Sequence, residues 1–127
     1  LVGSEMCIRD SFREGDFAIM VELTKENFET EVTNAEGYSF IDFYGDGCVP
    51  CAALMPHVHG LADKYADSKL KFCAMNTTKA RRLAIKLGIL GLPVMAIYKD
   101  GKQVEALVKE ECTQDSITAL VEKYVNM

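Results

Sequence analysis

Residues 38–58 read Tyr-Ser-Phe-Ile-Asp-Phe-Tyr-Gly-Asp-Gly-Cys-Val-Pro-Cys-Ala-Ala-Leu-Met-Pro-His-Val. Tyr38 to Tyr44 is an apolar, aromatic run and reads as a central strand. Glycines and an aspartate break it at 45–47, and a helical pattern follows from Cys51 to Ala66, apolar at Leu54, Val58, Leu61 and Tyr65. Cys48 and Cys51 therefore fall where a strand ends and a helix begins. That placement has chemical consequences. A thiol with a pKa near 8.5 is only about 3% thiolate at pH 7. Unpaired N–H groups and the positive dipole end at a helix N-terminus favour the anion. Cys48, ahead of the helix, is expected to be the exposed, low-pKa thiol. Cys51, one turn in, is close enough to attack a mixed disulfide. Pro50 suits the first helical turn, and Pro56 is expected to kink the helix.

Outward from this stretch, strand and helix signals alternate. Val21-Glu22-Leu23 is a short strand. Thr24 caps a helix to about Val32, with Phe28 on its inner face. Leu70 to Met75 is a second central strand, and residues 78–87 a short helix. Val94 to Tyr98 is a strand, Asp100-Gly101 a hairpin turn, and 102–108 its partner strand. Thr113 caps a last helix that buries Ile117, Leu120, Val121 and Tyr124. The first strands, joined by helical crossovers, are expected to pair in parallel, and the last two as an antiparallel hairpin. The result is an α/β domain, a mixed sheet with helices on both faces. Pro93 opens a strand, where a cis bond is expected.

Residues 1–19 show no clean period, and Val2 to Ser11 resembles translated adapter sequence. They are expected to be a non-native or disordered extension, with a single domain over 20–127. The chain has 127 residues and a net charge of −5 with both signs mixed along it, which argues against a nucleic-acid or anionic-membrane footprint. No apolar run approaches the roughly 20 residues of a membrane span. The start shows no basic flank leading into an apolar stretch, so no secretory signal is expected. The five cysteines, Cys7, Cys48, Cys51, Cys73 and Cys112, include one close pair and do not look like a secreted disulfide framework. Cys73 is expected in the core. Cys112 lies in a Glu-Glu-Cys-Thr turn. Free thiols fit a reducing compartment, and a cytoplasmic location is expected.

Other readings of the pair stay open. Two cysteines could be half of a zinc site, but no second Cys-x-x-Cys exists, and His57 and His59 are the only further His candidates. No metal is expected, and both histidines read as helix-surface residues. Asp42 lies in an apolar strand, where burial should raise its pKa. It is expected to accept the proton of Cys51, or else to bond the backbone at a strand end.

From about Met20 onward the chain resembles the thioredoxin family. The segments that carry this are Ile41-Asp42-Phe43-Tyr44, Cys48-Val49-Pro50-Cys51, Pro56, Gly88-Ile89-Leu90-Gly91-Leu92-Pro93 and Lys99-Asp100-Gly101. The resemblance implies the thioredoxin fold, a central mixed sheet of about five strands flanked by about four helices. It implies a protein disulfide reductase and electron carrier with no cofactor beyond a redox-active Cys48–Cys51 disulfide. Cys48 would be the nucleophile, Cys51 the resolving thiol, Asp42 the buried proton-transfer group and Pro93 the cis-proline. The Leu92 backbone would pair with the substrate chain, and Gly47, Val49 and Pro50 would face partners. Expected partners are a thioredoxin reductase and disulfide-containing proteins, with the chain acting as a monomer. The same motif could instead serve a thiol oxidase or isomerase, or a non-catalytic binding or metal module.

Several positions depart from the family pattern. Gly47 stands where most members have Trp, Val49 where they have Gly, and Tyr44 where they have a second Trp. Ala74 takes the place of the lysine that faces the buried aspartate, and Lys109 that of a glycine on the docking surface. The Gly-Cys-Val-Pro-Cys form resembles thioredoxins of amino-acid-fermenting anaerobes, which implies components of glycine, sarcosine and betaine reductase systems as possible partners.

Overall fold

Strand β2 (Tyr38–Tyr44) is the centre of the molecule. It pairs in parallel with β3 (Lys71–Asn76) on one side and antiparallel with β4 (Val94–Lys99) on the other. The edges are β1 (Val21–Leu23), parallel to β3, and β5 (Lys102–Val108), antiparallel to β4. The order is β1-β3-β2-β4-β5. The structure is a computed structural model and describes residues 20–34, 37–66, 68–89 and 91–126. The expected extension at 1–19, with its Cys7, lies outside the described residues.

The five expected strands form, with ends shifted by a residue at β3 and β4. Asp100 and Gly101 take φ of 56° and 81°, the paired positive values of the expected hairpin turn. The direction of β4 is a finding of the structure. It follows a helix, as β2 and β3 do, yet runs antiparallel to β2, so it returns the chain into the hairpin.

The helices differ more from the sequence reading. The first, expected from Thr24 to Val32, is a capped turn leading into a π-helical segment, α1 (Glu29–Thr33). Thr24 Oγ1 accepts the N–H groups of Glu26 and Asn27, each at 3.2 Å. Phe28 and Val32 both reach the core. Helix α2 (Val49–Lys64) begins two residues earlier than expected because Cys48 serves as its N-cap, with Pro50 in the first turn. Helix α3 (Arg81–Lys86) is shorter than the expected 78–87. Residues 77–79 are tied down instead: Thr77 N–H donates to Tyr44 O at 2.7 Å and Thr78 N–H to Asn76 Oδ1 at 2.9 Å. Helix α4 (Gln114–Val125) starts at Thr113, whose Oγ1 accepts Ser116 N–H at 3.1 Å.

Alternation along β2 splits the core. Ile41 and Phe43 face α1 and α3 with Leu23, Cys73, Met75 and Tyr98. Phe40 faces α2 and α4 with Val58, Leu61, Phe72, Ile117 and Val121. Asp42, two residues after Phe40, is thereby directed to the α2 side of the sheet. Two side chains bind α2 to α4: His57 Nε2 lies 2.8 Å from Thr118 Oγ1, and Tyr65 OH donates to Glu122 Oε2 at 2.9 Å.

Candidate active site

The site begins with a turn. Gly47 takes φ 77°, a conformation that residues with a Cβ rarely adopt. Cys48 N–H donates to Gly45 O at 3.2 Å, which closes the turn and sets Cys48 at the helix start. Cys48 and Cys51 are joined by a disulfide, with Cα atoms 5.3 Å apart. Cys48 Sγ also accepts the Cys51 N–H at 3.3 Å, so the sulfur takes the place a serine or aspartate oxygen fills at other helix starts. Cys51 is 2% exposed and Cys48 is half-buried rather than fully exposed. Val49 projects outward at 76% exposure. An open groove of about 960 Å³ runs alongside, lined by Cys48, Val49, Cys51, Met55, Pro56 and His59 among others. His59 therefore borders the dithiol. His57 instead joins the two helices.

Asp42 is fully buried, and neither carboxyl oxygen has a hydrogen-bond partner among the described residues. The alternative of an aspartate bonded to backbone is thus excluded. Its neighbours in the ladder are Ala74 on β3 and Met95 on β4, and neither can offer a proton or a charge. Burial raises its pKa from 3.8 to about 7, helped by the negative charge of Glu22. Glu22 stands beside Ala74 across β1 and β3, and its Oε2 accepts the Tyr44 hydroxyl at 2.8 Å.

The Leu92–Pro93 bond is cis, as the sequence suggested. Pro93 O accepts Lys109 N–H at 2.8 Å and the Cys112 thiol at 3.5 Å. The Leu92 side chain packs on Gly45, at the base of the cysteine turn: a Cβ on Gly45 would lie 2.9 Å from Leu92 Cδ1. Tertiary structure thus brings Leu92 and Pro93 to the turn that holds Cys48. Pro50 is exposed in the first turn of α2. Cys112 was not expected to touch this loop, and its position in a polar turn gave no sign of it. Burial pushes its thiol up to about 11, and that of core residue Cys73 up to about 12. Among the described residues, no group of three or more His, Cys, Asp or Glu is placed to hold a metal ion. No helix among them is long and apolar enough to cross a membrane.

A Cys-x-x-Cys disulfide at a helix start, in a mixed five-stranded sheet whose cis-proline loop packs on the same turn, is the arrangement of a thiol–disulfide oxidoreductase. The Thioredoxin family model matches residues 19–123. A thioredoxin of Peptoclostridium acidaminophilum is 49% identical over 108 residues, covering 85% of this chain and 97% of its own. One from Acetoanaerobium sticklandii is 48% identical over 106 residues, covering 84% and 100%. A mutant thioredoxin from Halobacterium salinarum NRC-1, a solved structure, superposes with a TM-score of 0.71 at 27% identity, covering 84% and 91%. The chain belongs to the thioredoxin family and acts as a protein disulfide reductase through Cys48 and Cys51. The first two relatives come from amino-acid-fermenting anaerobes, the group that Gly-Cys-Val-Pro-Cys resembles. Thioredoxins generally act with a thioredoxin reductase and disulfide-bonded substrates.

Proposed function

We propose that Cys48 is the nucleophile and Cys51 the resolving thiol of this reductase. The observation that carries the assignment is the capping contact, Cys51 N–H to Cys48 Sγ at 3.3 Å. In the reduced chain the same N–H and the α2 dipole would stabilise a Cys48 thiolate. The thiolate attacks one sulfur of a substrate disulfide, forms a mixed disulfide and expels the other sulfur as a thiolate. Cys51 then gives up its proton and attacks Cys48 Sγ. The first substrate sulfur leaves, and Cys48–Cys51 closes. Two electrons pass to the substrate. Asp42 is the proposed acceptor of the Cys51 proton, and a pKa of about 7 suits that exchange near neutrality. The backbone of Leu92, ahead of cis-Pro93, is the proposed pairing edge for the substrate chain, with Gly47, Val49 and Pro50 as the surface partners meet. The exposure of Val49 and the packing of Leu92 on Gly45 support this reading.

The proposed setting is a cytoplasmic monomer that needs no cofactor beyond its disulfide. Its electrons come from a cognate thioredoxin reductase, and components of glycine, sarcosine or betaine reductase systems are among its substrates. The likeness to the two anaerobe thioredoxins supports this setting. The proposed domain is 20–127, with 1–19 dispensable, and the span of the family match supports it.

Insulin-disulfide reduction with dithiothreitol tests the site. Cys48→Ser should abolish turnover, and Cys51→Ser should accumulate mixed disulfides on Cys48. Insulin reduction no faster with the wild-type chain than with dithiothreitol alone, and unchanged by Cys48→Ser, would leave only a non-catalytic binding or metal module. Equilibration with glutathione tests the direction, since a potential well above the cytosolic poise would make the chain an oxidase or isomerase.

A further inference from the structure

The loop before β4 and the residue after β5 meet at one edge of the dithiol site. Lys109 follows β5 directly and holds φ 54°, a left-handed conformation that costs any residue with a Cβ. Its N–H is fixed on Pro93 O. Its side chain folds back across Gly91: a Cβ placed on Gly91 would collide with Lys109 Cε and lie 3.2 Å from Nζ. Glycine at 91 is what allows the lysine stem to lie flat on the loop. The exposed lysine end thereby lies one residue from Leu92, whose side chain rests on Gly45 and whose backbone N–H and C=O have no partner among the described residues.

Lys109 forms no ion pair among the described residues, where the two pairs are Lys71–Glu31 and Lys123–Glu105. The nearby Glu111 carboxylate is engaged by Val108 N–H at 2.9 Å. The chain as a whole carries −5. A cation that lies on Gly91 beside the pairing edge, in no ion pair among the described residues, is thus set in a net negative chain that repels acidic partners. Extended segments bind such edges by main-chain pairing, with side-chain contacts adding selectivity.

We propose that Lys109 is a specificity-determining residue, selecting partner segments that carry a carboxylate beside the disulfide to be reduced. The proposal rests on the reading of Leu92 as the substrate-pairing edge. The test uses two disulfide-bonded peptides that differ only in Asp or Lys beside the target cysteine, with dithiothreitol as electron source. The readout is the ratio of their kcat/KM values, which a uniform loss of activity does not change. The wild-type chain should favour the Asp peptide by about three-fold at low salt, the scale of an exposed ion pair. Lys109→Ala should lower the ratio to one or below, because the net negative chain then disfavours the Asp peptide, and Lys109→Glu should lower it further. High salt should erase the preference. An identical ratio in all three proteins, or a preference that survives high salt, overturns the proposal. Failure of the wild-type chain to reduce either peptide or insulin would instead sink the underlying assignment of the site.

Discussion

Asp42 stands in register with Ala74 on the adjacent parallel strand, and among the described residues no hydrogen-bond donor reaches either carboxyl oxygen. A carboxyl so placed holds its proton unusually long, and stability must follow. Its pKa of about 7 in the folded chain exceeds the ordinary 3.8. Between those values the folded chain keeps a proton that the unfolded chain has lost. The contribution is therefore fully present below about pH 4, declines as pH rises through 7, and is level above. The full decline is roughly 4 kcal/mol. Urea unfolding of the oxidised protein at pH 5 and pH 8 should show the loss in the wild type and a much smaller one in Asp42→Asn. Equal pH dependence in the two would show that this carboxyl does not titrate there.

Supplying the missing cation should reverse the effect. Ala74→Lys places an ammonium beside Asp42 and should lower its pKa by about 1–3 units. A carboxyl-carbon NMR titration reads this directly. An unmoved midpoint would mean that the lysine turns away from the carboxyl.

The two free thiols among the described residues, Cys73 and Cys112, should be inert in the folded state. Burial holds Cys73 and Cys112 at about 12 and 11, so neither offers appreciable thiolate at neutral pH. After reduction, brief iodoacetamide treatment followed by peptide mass spectrometry should find Cys48 alkylated and these two unmodified until denaturant is added. Labelling of Cys112 at the rate of Cys48 would contradict the buried contact with Pro93 O.

Lys109 should be held at a conformational cost. Replacing it with glycine removes the Cβ from a residue at φ 54° and should stabilise the chain by about 1 kcal/mol, a rise in Tm of roughly 4 °C. Calorimetry of the oxidised Lys109→Gly variant checks this, and a lowered Tm would show that the side chain's packing on Gly91 outweighs the backbone cost.

Deleting residues 1–19 should leave Tm and insulin reduction unchanged, because the family match begins at residue 19. A drop of many degrees would show that the segment belongs to the folded domain.

Much of this is legible in the sequence. The apolar run at 38–44 gave β2, and the glycines and Pro50 marked the strand-to-helix turn. Asp100-Gly101 announced the hairpin through its backbone preference. Where the structure departs from the local pattern, longer-range bonds compete with it. Residues 77–79 were drawn into a turn by Tyr44 and Asn76, which shortened α3. Thr24 caps a turn and not the helix itself, which is a π-segment beginning at Glu29 with Phe28 as its N-cap.

By itself, the sequence determined the dithiol. Two cysteines three apart at a helix start are a local arrangement, set by neighbouring residues and the unpaired N–H groups of one turn. Tertiary structure alone decided what surrounds that pair. The antiparallel return of β4, the apolar ladder partners of Asp42 and the placement of Lys109 over Gly91 join residues far apart in the chain. Strand pairing and side-chain packing fix those neighbours, and they leave no trace in any short stretch of sequence.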